Sequence, residues 1–171
     1  MSLDELIRSR RTHKAYGPEP VDRAVLEELF DLARWAPNHN LTNPWRFRVL
    51  GPEALAALKE AAGPEAASKL DRAPTLVVAS AVQSGTDPVL DEEDLAAATA
   101  ATFIILLAAH ERGLAGYWRT PEVLRTVEGR AACGVSGDEH VLGLIHLGYA
   151  RGPEKAAPER APVDEFRTYL D

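Results

Sequence analysis

Three short stretches of this chain bring together residue types that hold ligands. The first is Arg10-Arg11-Thr12-His13-Lys14. Two guanidinium groups, an ammonium and a hydroxyl suit a terminal phosphate: arginine grips it with a bidentate fork and lysine adds a point charge. A solvated basic helix end has the same composition, and on these residues alone it is the simpler reading. The second stretch is Ala36-Pro37-Asn38-His39-Asn40-Leu41-Thr42-Asn43-Pro44-Trp45. Side-chain amides and a histidine held between prolines make a rigid, donor-rich edge, able to read the heteroatom rim of a flat ligand. An ordinary helix-to-strand connection uses similar residues, but the length and the two prolines favour a site. The third is Gly116-Tyr117-Trp118-Arg119-Thr120-Pro121. It combines stacking surface, positive charge and a helix start with free N–H donors. A buried aromatic plug with a surface arginine fits it equally well.

Other chemistries find less support. The chain has no G-x-G-x-x-G and no Walker-type loop, so a phosphate cradled by a glycine-rich loop is excluded. Its histidines, at 13, 39, 110, 140 and 146, show no metal-binding spacing, and its single cysteine, Cys133, rules out an intramolecular disulfide or a cysteine-based metal site. No metal is expected. Ser80 and Ser84 lack the G-x-S-x-G setting of a serine hydrolase. Asp91-Glu92-Glu93-Asp94 reads as a solvated, dipole-favoured helix start rather than a catalytic carboxylate pair.

The elements that must position these stretches follow from periodicity. Ser2-Leu3-Asp4-Glu5 is a capping box for a short first helix that ends in the basic run. Asp22 is placed to cap a second helix, with Val21 and Leu26 as a hydrophobic staple and Leu26, Leu29, Phe30, Ala33 and Ala36 as its core face. Trp45 to Leu50 alternates as a strand. A helix over 52–62 stops at Gly63-Pro64, with a shorter one to about residue 72; 75–82 and 141–149 read as buried strands. Asp91 is expected to cap the longest helix, 92–112, which is apolar nearly all round and needs cover on several sides, a second subunit included. Thr120-Pro121 reads as another helix start. The proline-punctuated tail with its apolar end suggests an arm that docks at a distance. The pattern α-α-β-α-β-α-α-β is mixed α and β around one sheet.

Composition bounds the partners. The 171 residues suit one domain, and 46% hydrophobic with 26% charged residues is ordinary globular composition. A net charge of −7 argues against nucleic acid, whose affinity comes from neutralised phosphates. The longest apolar stretch, Leu95 to Ala109, contains two threonines and falls short of a membrane span, and the N-terminus lacks a signal-peptide core. A soluble, cytoplasmic protein is expected.

The three stretches, in this order, resemble the nitroreductase family of FMN-dependent oxidoreductases. RSRRTHKAYGPEPV is similar to the family's Arg-Arg-Ser-x-Arg/Lys-x-Phe…Pro-Val opening. LFDLARWAPNHNLTNPWRFRVL resembles its Ala-x-x-Ala-Pro-Ser-x-x-Asn-x-Gln-Pro-Trp-x-Phe stretch, AAHERGLAGYWRTPEVL its Gly-Leu-Gly-x-x-Trp segment, and VLGLIHLGYA its last strand. The Asn-His and Tyr-Trp-Arg-Thr variants and the Pro-Val-Asp-x-Phe-x-Thr-Tyr tail resemble a short, YdjA-like branch. Each motif alone is weak, but four in register, over about residues 5–150, are specific. Asn38 stands where the family usually has Ser, and Asn43 where it has Gln.

The resemblance implies an α+β fold: a three-layer, nitroreductase-like architecture with a central, mostly antiparallel sheet flanked by helices. It implies one FMN-binding domain over 1–171, in an intertwined homodimer whose C-terminal arm, 152–171, docks on the partner subunit. By matched motif, Arg10, Arg11, Thr12 and Lys14 would meet the FMN phosphate and ribityl chain. Trp35, Pro37, Asn38 and His39 would come from the other subunit, and Trp118, Arg119 and Thr120 would line the far side of the ring. Lys69 stands where some relatives place a flavin-contacting lysine. The implied activity is ping-pong hydride transfer from NADH or NADPH through flavin N5 to a small, flat, electron-poor substrate such as a nitroaromatic or quinone. The flavin supplies the chemistry, so no catalytic side chain is required. Arg119 or His39 would place positive charge at the pyrimidine edge. Two alternatives stay open: an FMN-binding carrier or sensor without turnover, and a different flavin reaction such as oxidation or dehalogenation.

Overall fold

The run with three valines forms the strand on which the rest is assembled. It is β2 (Thr75–Val82), buried from Thr75 through Ala81 because both of its faces are covered. β1 (Trp45–Val49) pairs with one edge, β4 (Glu139–Tyr149) with the other, and β3 (Leu114–Arg119) with the outer edge of β4. All three pairings are antiparallel, in the order β1-β2-β4-β3. The computed structural model describes residues 1–153 and 156–170.

Alternation along the strands makes two cores. On one face α2 (Arg23–Ala33) and α4 (Pro88–Glu111) bring Leu26, Leu29, Ala101, Ile105 and Ala109 onto Val77, Ile145 and Leu147. On the other, α3 (Pro52–Ala67) and α5 (Val127–Ala132), with their connections, bring Leu58, Leu70 and Leu124 onto Leu76, Val78 and Leu144. The result is the expected three-layer α+β architecture with an antiparallel sheet. Leu29, Leu58, Ile105, Leu124, Leu144 and Ile145 are fully buried, each contributing roughly 2 kcal/mol of apolar transfer. α1 (Leu3–Ser9) buries no residue; its predicted capping box forms, with the Ser2 N–H donating to Glu5 and the Glu5 N–H donating to Ser2.

Several sequence expectations are corrected. β3 was read only as a ligand motif and is the fourth strand. Thr120 caps no helix: its hydroxyl donates to the Leu142 carbonyl, and Pro121 precedes a 3-10 turn over Glu122–Arg125. The helix beyond is α5, capped by Thr126. Asp22 occupies the N-cap position of α2 without making the side-chain bond. The cap of α4 is Asp87, not Asp91, so the helix starts four residues earlier. Asp91 accepts the Ser84 and Gly85 N–H groups, and Asp94 is buried, accepting the Thr42 hydroxyl at 2.6 Å. The acidic run is therefore only partly solvated.

The 24-residue α4 is long and apolar enough to cross a membrane by composition, contrary to the sequence reading. Its packing against α2 and the sheet makes it the core helix. As predicted, α3 breaks at Gly63, whose φ of 73° only glycine adopts readily. The described part of the tail is exposed throughout, Phe166, Tyr169 and Leu170 included. Of the predicted arm, residues 154, 155 and 171 lie outside the described residues.

Candidate cofactor-binding site

The basic run leaves α1 as an extended segment along the free edge of β3. Thr12 bridges Gly116 in parallel fashion, the His13 N–H donates to the Gly116 carbonyl at 3.3 Å, and Tyr16 bridges Ala150. This pairing sets Arg10, Arg11, Thr12 and Lys14 beside the third motif, so two stretches separated by about a hundred residues become neighbours. The Lys14 ammonium lies 5.4 Å from the Tyr117 ring centroid. Tyr117 in turn meets the His146 ring with centroids 5.5 Å apart.

The cluster is cationic and unbalanced. Among the described residues neither Arg10, Arg11 nor Lys14 forms an ion pair. Burial, then the charges of Arg11 and Arg160, push the Arg10 pKa down. Arg160, from the tail, was not anticipated; only its distance along the chain hid it. Arg11 donates to the carbonyls of Arg8 and Arg10, while its Nε is buried without a partner. Like charges held together with buried donors unmet are costly unless an anion joins them.

The third motif divides across β3 because neighbouring strand residues point to opposite faces. Trp118 faces the α4 core and donates its indole N–H to the Leu142 carbonyl at 3.1 Å, the carbonyl that also receives Thr120. Arg119 lies on the other face, where its Nε–H donates to His146 Nε2 at 3.1 Å and its Nη2 is buried without a partner. The Arg119 pKa is pushed down, by burial first. Arg119 and Lys69 line one cavity of about 300 Å³ between α3 and the turn after β3. Trp118 and Arg119 therefore do not share a surface within the chain.

The loop forms the most contorted backbone in the molecule. Asn40, Leu41 and Asn43 have φ values of 49°, 55° and 47°, strained for residues with side chains, Leu41 above all. Asn38 holds it closed, accepting the Asn43 N–H at 2.9 Å and donating to the Ala36 carbonyl at 3.2 Å. His39 Nδ1 stands 3.6 Å from Glu93, and Trp35 is 74% exposed. Pro37, Asn38 and His39 lie against the first turns of α4, whereas α1 lies against its last turns, where Ser9 meets His110 at 2.8 Å. Sixteen residues separate Asp94 from His110, about 24 Å of helix. Within one chain the loop and the cationic cluster stay apart. Among the described residues no cluster of metal-binding side chains occurs.

The described residues thus combine an antiparallel α+β sheet with a basic segment along the free edge of β3, a class of architecture with room for an anionic ligand. Comparison with known proteins makes it specific. The Nitroreductase family model matches residues 7–69 and 62–149, and the chain belongs to that family of oxidoreductases. A Bacillus subtilis protein named as the NAD(P)H nitroreductase YfhC is 28% identical over 97% of this chain and 89% of its own length. The 4-nitrobenzoate reductase of Pseudomonas putida is 38% identical over 36% of this chain and 27% of its own. Among solved structures, a nitroreductase-like family protein from Bacillus cereus superimposes with a TM-score of 0.89 at 22% identity, covering 99% of this chain and 96% of that one. The FMN and NADPH-dependent nitroreductase NfnB of Sphigopyxis sp. strain HMH superimposes with a TM-score of 0.80 at 19% identity over the full length of both. These likenesses establish the nitroreductase-like fold.

Proposed function

We propose that this chain is an FMN-dependent NAD(P)H oxidoreductase that reduces small, flat, electron-poor acceptors such as nitroaromatics or quinones, acting as a homodimer in the cytoplasm. The observation that carries the reading is the cationic edge itself. In a chain of net charge −7, Arg10, Arg11 and Lys14 lie on the segment along the free edge of β3, none of them in an ion pair among the described residues and with a buried Arg11 Nε unmet. The FMN phosphate fits that edge, and the residues present suit it: Arg10 and Arg11 as forks, Thr12 as a hydroxyl and Lys14 as a point charge. Bound there, FMN supplies two-electron hydride chemistry at N5. The chain's own residues bind, orient and shield it. Arg119 and Lys69 offer positive charge on one face of β3, and Trp118 and Thr120 fix the backbone at its end.

The exposed loop with Trp35, Pro37, Asn38 and His39 is assigned to the ring of the FMN bound by the other subunit, since about 24 Å of helix keeps it from its own. The names of the relatives agree with NADH or NADPH as donor. Purified protein should show a flavin spectrum that bleaches with NADPH or NADH in the absence of oxygen and recovers with a nitroarene. A bound flavin that resists both nucleotides would assign the protein as a carrier or sensor. Failure to take up FMN on reconstitution would overturn the reading altogether.

A further inference from the structure

His146 has no role in the reading above, yet it is fully buried and touches the one charged residue at the end of β3. It sits on β4 opposite Tyr117 and Leu76, on the same sheet face as Arg119. The groups facing it are Tyr117 and Arg119 from β3 and Arg72 from the segment before β2. Its Nε2 receives the Arg119 Nε–H at 3.1 Å. A nitrogen that accepts cannot carry a proton, so the ring is neutral and its single proton is on Nδ1, which is buried without a partner. Burial, then the charges of Arg119 and Arg72, push the imidazole pKa down to about 4, in agreement with that geometry.

The choice of a neutral acceptor has a consequence. A carboxylate here would fix the guanidinium but cancel its charge. An apolar side chain would leave the charge but orphan a buried Nε–H. A neutral imidazole fixes the group and leaves its full positive charge to act outward. We propose that His146 is a positioning residue that holds Arg119 as an uncancelled cation at the end of β3, so that Arg119 favours negative charge on the cofactor. This inference rests on the FMN reading. It concerns the stabilisation of the reduced cofactor and not the capture of its phosphate.

The test uses the full-length holoprotein reconstituted with FMN. Two-electron midpoint potentials and FMN dissociation constants are measured for wild type, His146→Gln, His146→Leu, His146→Glu and Arg119→Gln. Loss of Arg119 should lower the preference for reduced over oxidised FMN about tenfold, a fall of about 30 mV for a two-electron couple. His146→Glu should reproduce that fall by neutralising Arg119, and His146→Leu should do so by releasing it. His146→Gln, which keeps a neutral acceptor, should restore the wild-type potential. Nitrogen NMR of the apoprotein should show His146 protonated on Nδ1, with its Nε2 shift altered in Arg119→Gln. A flavoprotein whose potential is the same in all variants, with only melting temperature changed, overturns this inference alone. A wild-type protein that takes up no FMN overturns the cofactor reading and this role with it.

Discussion

At the residue scale, the most heavily bonded side chain lies away from the basic run. Glu139, at the start of β4 and buried, accepts from Arg48 at 2.6 and 2.8 Å, from the Ser136 N–H and hydroxyl, and from the Ser80 hydroxyl. Burial alone would raise its pKa; the bonds from Arg48, then Ser136 and Ser80, outweigh it and hold the pKa at about 2. A carboxylate with a depressed folded-state pKa stabilises the fold above its unfolded value of 4.5 and loses that contribution as pH falls toward 2. His146, lowered from 6.5 to about 4, acts earlier: the unfolded chain takes a proton the folded chain refuses, so stability falls between pH 6.5 and 4. Melting temperatures should therefore decline in two stages on acidification, and His146→Gln should abolish the first. Arg48→Ala, which strands a buried carboxylate, should cost about 3 kcal/mol at pH 7 and shift the second stage upward. A melting curve flat from pH 7 to 5 would refute the His146 assignment. The Arg10-to-Lys14 run was legible as a cationic stretch because its residue types and spacing are local. Glu139, Asp94 and His146 were not, since each is defined by partners dozens of residues away.

At the element scale, the segment with the most chemistry was the hardest to read. β3 is Leu-Ala-Gly-Tyr-Trp-Arg, with two small residues and no alternation, and its strand character comes from pairing with β4. Opposite Ala79 and Ser80, β4 carries an extra residue, Leu142, and bends at Gly143, whose φ is 141°. A Cβ at Gly143 would lie 2.5 Å from the Arg119 carbonyl and 2.8 Å from the Trp118 indole nitrogen. That close approach lets Trp118 and Thr120 both reach the Leu142 carbonyl. Gly143→Ala should cost about 2 kcal/mol and weaken FMN binding, read as a lower denaturation midpoint and a raised dissociation constant. An unchanged FMN affinity would mean that the Trp118–Thr120 turn does not shape the site. By contrast α1 to α4 were visible from their caps and periodicity, whereas the helix expected at Thr120-Pro121 is a 3-10 turn and α5 begins at Val127. α4 was misplaced at its start because Asp87 and Asp91 are both cap-type residues ahead of the apolar stretch from Leu95, and only the fold shows that Asp91 is occupied by Ser84 and Gly85.

At the scale of the whole molecule, exposed surface and incomplete site point the same way. Leu3 and Ile7 of α1, Phe103 of α4, Trp35 and Leu41 are all exposed, Phe103 at 41% and Leu41 at 75%. A strained loop that displays a leucine and a tryptophan to water is expensive in a lone chain. In the proposed homodimer the same groups would be covered, and each loop would reach the other subunit's cationic edge. Charge at Phe103 should then act on two quantities together. Phe103→Glu lies on the exposed side of α4, so the fold should persist, with helix content unchanged by circular dichroism. Sedimentation should shift from dimer toward monomer. FMN should bind at least tenfold more weakly, because the monomer keeps the phosphate-binding residues but loses the partner's loop. Riboflavin, which lacks the phosphate, separates the two halves of the site. Arg10→Ala should weaken FMN and leave riboflavin unaffected, whereas Phe103→Glu should weaken both. A monomeric variant that binds FMN as tightly as wild type would place the whole site within one chain and remove the loop from it.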